Sequence, residues 1–119
     1  DLTSGVNYRV IRYADVLLMA AEAHSQSGND VDAVNYLNEV RQRVGMPART
    51  STGNDLYEHI LKERRSELSC EGHRFFDLVR TGKAADVITD FQTGKHELFP
   101  IPQVEIDLAG GNWPQNPGY

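Results

Sequence analysis

The hydrophobic residues of the chain are most concentrated between Val10 and Ser25, where apolar side chains follow one another with few interruptions. At 100° per residue, these side chains cover almost the whole circumference of a helix, and Asp15 and Glu22 share one narrow polar strip. The pattern therefore predicts a first helix that is buried on most of its sides.

A second helix is predicted after Gly28, a natural left-handed stop. Asn29 or Asp30 supplies its N-cap oxygen. Apolar residues recur along it at steps of three and four, at Val34, Leu37, Val40 and Val44. Gly45 then stops this helix, and Pro47 prevents its continuation. The first two helices are expected to form an antiparallel hairpin.

A third helix, which Asp55 can cap with Glu58 three residues on, is predicted to run to about Glu71, where Gly72 breaks or bends the chain. A short helix over residues 74–80 and a weaker helical stretch follow. Residues 98–102 must be extended, because each proline pushes the preceding residue out of the helical region. The predicted fold class is therefore mainly α, with tetratricopeptide-like helical hairpins and an extended, irregular C-terminal tail.

Charged residues occupy the apolar sector of the third helix. On a helical wheel that starts at Leu56, the side chains of Glu67, Glu71 and Arg64 fall among the apolar ones, with Glu63 at the edge. Charges in such a position are tolerated when they are paired. We therefore expect a structural ion-pair cluster. Its predicted members are Arg12, Glu63, Arg64, Glu67, Glu71, Arg74 and Asp77.

Two catalytic interpretations compete with this cluster. Two carboxylates among Glu63, Glu67 and Glu71 could serve glycoside hydrolysis, but arginines crowd the segment, and a general acid needs a raised pKa and an open cleft. Cys70, His73 and Asp77 could act as nucleophile, base and orienting acid, but Gly72 interrupts the helical face that they would share. The residues favour a non-catalytic protein, with Cys70 as a small buried hydrophobic residue.

The aromatic residues offer a further candidate site, since exposed rings often stack on the apolar faces of sugars. Trp113 lies beside Pro114 in an irregular segment, where a buried anchor is favoured over a ligand platform. Phe75 and Phe76 are expected in the core.

Composition excludes several classes of function. Twelve Lys and Arg against seventeen Asp and Glu give a net charge of −5, which repels a nucleic-acid backbone. The longest apolar run, Val16 to Ala21, is far shorter than the roughly 18 residues that suggest a membrane span. Metal-ligand spacings and glycine-rich nucleotide loops are absent, so no metal or cofactor is predicted. Because the chain begins at Asp1 without an initiator Met, we expect it to be part of a longer protein.

The hairpin over residues 13–44 has the length and small-residue spacing of one tetratricopeptide repeat. Several segments in order resemble the C-terminal part of the SusD/RagB family. They are IRYADVLLM at 11–19, AEA at 21–23, LNEVR at 37–41, ERRSEL at 63–68, EGHRFFDL at 71–78, LFPIP at 98–102, Glu105 and QNPGY at 115–119. The resemblance covers nearly the whole of residues 1–119, as one helical C-terminal region.

The resemblance implies a lipid-anchored protein on the surface of the bacterial outer membrane, which captures glycans or other nutrients and is not an enzyme. It implies delivery of the ligand to a SusC-like TonB-dependent transporter, with this segment as scaffold beside the N-terminal part of the same protein. It identifies no ligand-contacting residue here. The alternatives are a stand-alone tetratricopeptide-like module that binds peptide tails, and a small hydrolase that uses Glu67 and Glu71.

Overall fold

The computed structural model describes residue 5 and residues 10–119, and its regular structure within them is helical throughout. The helices are α1 Tyr13–Gln26, α2 Asp30–Arg43, α3 Gly53–Glu67, α4 Arg74–Arg80, α5 Ala84–Val87 and α6 Gln103–Leu108. The prediction of a mainly α fold is confirmed. The chain divides into two compact units, the first ending at His73 and the second running from Arg74 to Tyr119.

The core of the first unit lies where α1, α2 and α3 meet. Its largest fully buried side chains are Leu18, Leu37, Val40, Leu56 and Ile60. Alanines at 14, 21 and 33 are also buried there, and their small side chains allow the helices to approach closely. Residues 27–29 join α1 to α2, and the two helices pack together as the predicted hairpin.

One face of α1 is open, so the prediction that this helix is buried on most sides is wrong for the described residues. Tyr13, Val16 and Met19 are 69%, 43% and 45% exposed. The reason is that α2 and α3 cover only the side that carries Leu17, Leu18 and Ala21. Asp15 is buried among these residues, although the sequence pattern placed it on a polar strip.

The ends of α2 follow local signals. Gly28 has a φ of +82°, and the Asn29 side chain accepts a hydrogen bond from the Asp32 amide at 3.3 Å. Gly45 follows with a φ of +71°. The structure therefore confirms the predicted stop at Gly28 before the second helix and the predicted end of that helix at Gly45. Of the two predicted candidates for its cap, Asn29 is the one that acts.

The ends of α3 differ from the prediction, and residues distant in sequence bind both of them. The helix begins at Gly53 rather than after a cap at Asp55, and the Gly53 amide donates to Asp30 Oδ2 at 2.7 Å. It ends at Glu67 rather than Glu71, where Arg12 Nη2 donates to the Glu67 carbonyl at 2.9 Å. That carbonyl would otherwise accept the next helical hydrogen bond, from the Glu71 amide.

In the second unit, α4 has the predicted bounds, and α6 was not predicted. Gln115 fixes the extended segment before α6: its side chain accepts from the Ile101 amide at 2.7 Å and donates to the Ile101 carbonyl at 2.8 Å. The tail is therefore held by side-chain bonds to its backbone rather than by burial.

Three predictions of burial are wrong. Trp113 and Phe76 are 55% and 62% exposed, and Cys70 is also exposed. Cys70 has a φ of +66° in the turn after α3, so it no longer continues the face of that helix. Across residues 10–119, none of the helices is long and apolar enough to cross a membrane.

Candidate functional site

Arg12, immediately before α1, binds two carboxylates near the end of α3. Its Nη1 donates to Glu67 Oε1 at 2.9 Å, and its Nε and Nη2 donate to the two carboxylate oxygens of Glu71, both at 2.8 Å. The paired bonds to Glu71 match the planar geometry of a guanidinium group. They raise the pKa of Arg12 and lower the pKa of Glu71, in each case chiefly through the hydrogen bonds between the two side chains.

A second ion pair is more deeply buried than the contacts of Arg12. Arg64 Nη1 donates to Asp15 Oδ1 at 2.9 Å, and the two side chains are only 5% and 7% exposed. Because Asp15 belongs to α1 and Arg64 to α3, this pair joins the two helices through the core. Two charges so far from water are stable only when each compensates the other.

The last turn of α2 supplies two more cations. Arg41 donates to Glu63 through Nη1 and to the Pro47 carbonyl through Nε at 2.9 Å, so it holds both α3 and the chain after α2. Arg43 Nη2 donates to both carboxylate oxygens of Glu67 at 2.7 Å. The Glu67 carboxylate therefore lies between cations from two other parts of the first unit.

The structure brings five of the seven predicted cluster residues into ion pairs in the first unit: Arg12, Glu63, Arg64, Glu67 and Glu71. The other two lie in the second unit. Arg74 is exposed at the start of α4, and Asp77 pairs with Arg80, three residues along, at 2.8 Å.

The ion pairs of the first unit that surround α3 form one ion-pair network. Three of its residues were not predicted from the sequence: Asp15, Arg41 and Arg43. A signal for Arg41 was present, because it lies four residues after Leu37 and therefore on the buried face of α2. Asp15 was harder to find, since its burial depends on an arginine 49 residues away.

The bonding of the carboxylates in this network is typical of a structural role and not of a catalytic one. Glu63, Glu67 and Glu71 each accept hydrogen bonds from arginines, and the pKa of Glu71 is shifted down, whereas a general acid needs a raised pKa. Among the described residues, no group of three or more His, Cys, Asp and Glu side chains could hold a metal ion.

The lowered pKa of Glu71 predicts a pH dependence. Stability from its bond to Arg12 is fully present above the unfolded-state pKa of about 4.3 and is lost as pH falls through the lower folded-state pKa. We expect Glu71→Gln to lower the Tm by a roughly constant amount from pH 8 to about 5, and by progressively less below about 4. Thermal melts across this range test the prediction. A difference in Tm that does not change with pH would contradict it.

Comparison with known proteins assigns the chain to a family. The SusD family matches residues 2–97. The SusD-like protein P2 of Formosa agariphila is 33% identical over 98% of this chain and 26% of its own length. The SusD-like protein P38 of the same organism is 39% identical over 69% of this chain and 18% of its own.

Solved structures agree. A SusD homologue from Bacteroides thetaiotaomicron superposes with a TM-score of 0.81 at 34% identity, over 91% of this chain and 25% of that one. A proposed sugar-binding protein from Bacteroides vulgatus has a TM-score of 0.72 at 37% identity, over 92% and 28%. The chain spans about a quarter or less of the length of each curated relative that it matches. On these matches of sequence and helical fold, the chain belongs to the SusD family.

Proposed function

We propose that this chain is the helical scaffold of a protein that captures glycans or other nutrients on the outer surface of a bacterium. The observation that carries the proposal is the match of residues 2–97 to the SusD family. The helical match to a proposed sugar-binding protein supports it. The ion-pair network adds a physical role, because it ties α1, α2 and α3 into one unit that can support a ligand site.

In this proposal the whole protein is lipid-anchored in the outer membrane, binds its ligand without chemical conversion, and passes it to a SusC-like TonB-dependent transporter. The engagement of Glu63, Glu67 and Glu71 by arginines supports binding rather than hydrolysis. The test is a glycan array probed with the full-length protein, together with affinity purification from outer membranes. Glycan binding without turnover and co-purification of a TonB-dependent transporter are expected. Hydrolysis of a bound glycan would contradict the proposal.

The same proposal accounts for the exposed apolar face of α1. Tyr13, Val16, Ala20 and Ala23 recur at alternating steps of three and four, the spacing with which one helix packs against another. Tyr13 and Val16 are well exposed. Since the curated relatives are about four times as long, we infer that a helix from the remainder of the protein packs on this face.

Without that helix, the apolar face predicts self-association. We expect the 119-residue chain to sediment above its monomer mass and to bind a hydrophobic dye. Val16→Glu should shift it toward monomer and reduce dye binding, because a charge on an apolar contact loses its hydration. Gln26→Glu, at the polar end of α1, is the matched control and should change neither measurement. A wild-type chain that is monomeric and binds no dye would contradict the inference.

A further inference from the structure

A cleft of about 390 Å³ opens in the first unit between the end of α2, the segment that follows it, and α3. Its volume is within the range of about 300–1,000 Å³ for small-molecule sites. Residues with apolar, cationic and hydroxyl side chains line it, which is the mixture that a polar ligand with an apolar face requires. The cleft is separate from the open face of α1.

Cationic side chains outnumber acidic ones in the lining of the cleft. The two acidic residues of its lining are engaged by arginines, Glu63 by Arg41 and Glu67 by Arg43. Two further cations of the lining, Arg49 and Lys62, form no ion pair with any residue that the structure describes. An excess of positive charge therefore remains within the cleft, although the chain as a whole carries a net charge of −5.

The guanidinium of Arg49 is incompletely hydrogen-bonded. Its Nε is buried and has no hydrogen-bond acceptor among the described residues. A buried donor without an acceptor is unfavourable, and most such groups in proteins are satisfied by protein, water or ligand. An anionic oxygen beside the guanidinium would compensate its positive charge, and a charged acceptor makes a stronger bond than a neutral one.

The segment that carries Arg49 is fixed before any ligand arrives. The Arg49 amide donates to Asn38 Oδ1 at 2.7 Å, and Asn38 Nδ2 donates to the Arg49 carbonyl at 2.9 Å. Two residues later, Ser51 Oγ lies 2.8 Å from His59 Nδ1 on α3. These bonds tie the segment to both helices, so binding would require little ordering of the backbone.

The apolar part of the lining faces solvent. Val44 and Met46 line the cleft and are 47% and 51% exposed. Their side chains offer an apolar contact that one face of a pyranose ring can cover, and methionine adapts readily to the shape of a ligand. The cleft thus combines free cations with a small apolar surface.

We propose that this cleft binds an acidic sugar, with its carboxylate or sulfate group on Arg49 and Lys62 and its ring against Val44 and Met46. The inference rests on the proposed function and narrows it to acidic glycans. A free anion and an acidic sugar share the chemistry of the charged group, but only the sugar has a ring that can contact Val44 and Met46.

The experiment is a calorimetric titration of the protein with glucuronic acid, glucose 6-sulfate, glucose and inorganic sulfate. We expect the two acidic sugars to bind more tightly than glucose and than sulfate alone, and more weakly at high salt. Arg49→Gln and Lys62→Gln should each weaken acidic-sugar binding by about tenfold or more, since each removes a charge-assisted bond. Arg65→Gln, an exposed arginine of α3 outside the cleft, is the matched control and should leave binding unchanged.

The outcomes separate the inference from the proposed function. Acidic sugars that bind equally well to wild type and Lys62→Gln would overturn the cleft assignment, and because Lys62 is exposed this variant keeps the fold. Equal binding of sulfate and acidic sugars would reduce the cleft to a simple anion site and overturn the sugar assignment. A glycan array on which only neutral glycans bind would overturn the inference and leave the proposed function intact. An array without any bound glycan would overturn both.

Discussion

Asp15→Ala should lower the free energy of unfolding by about 3–5 kcal/mol, the usual cost of removing one partner from a buried ion pair. Asp15 and Arg64 are 7% and 5% exposed and join α1 to α3 through a bond of 2.9 Å. Removal of the carboxylate leaves the guanidinium in a place where water cannot replace the lost acceptor. Urea denaturation followed by circular dichroism measures the change.

A double replacement isolates the charge effect from the loss of packing. Asp15→Leu combined with Arg64→Met removes both charges and keeps apolar volume, and we expect it to be much less destabilising than Asp15→Ala alone. If the double variant loses as much stability as Asp15→Leu and Arg64→Met, each made alone, lose together, the two side chains do not interact and the ion-pair account of this site is wrong.

Glu67→Ala should lower the free energy of unfolding by about 1.5–3 kcal/mol, the range for hydrogen bonds to charged groups. This is less than for Asp15, because the partners lie closer to water: the side chains of Arg12 and Arg43 are 29% and 56% exposed. Arg12 also keeps its two bonds to Glu71.

The matched control is Arg65→Ala on the same helix, an exposed substitution for which a change within about 0.5 kcal/mol is expected. Denaturation of both variants under the same conditions gives the comparison. Equal stabilities of Glu67→Ala and Arg65→Ala would contradict a structural role for the network around Glu67.

The sequence predicted those parts of the fold that depend on neighbouring residues. The stop at Gly28 and the bounds of α4 follow from local backbone chemistry, and the structure has them as predicted, with Asn29 as the cap out of the two candidates Asn29 and Asp30. A local signal was also available for α6, which was missed: Pro102 disfavours a helix before it but is well suited to the start of one.

The sequence failed where a distant residue decides the outcome. Asp30 binds the first residue of α3 and Arg12 binds the carbonyl of its last residue, and neither contact has a signature in the helix itself. The sequence pattern alone indicated that Asp15 lies on the surface, whereas in the structure it is buried and bound to Arg64. The exposed Trp113 and Phe76 show the same difficulty, because burial depends on what packs nearby and not on the apolar character of the side chain.

The bond from Arg12 to the Glu67 carbonyl has a consequence for biosynthesis. The two residues are 55 positions apart, so the guanidinium leaves the ribosome long before the carbonyl that it will bind. Domains generally fold as units while a protein is made. The C-terminal end of α3 therefore gains this bond only when both ends of the first unit are available, and an isolated α3 peptide would lack it.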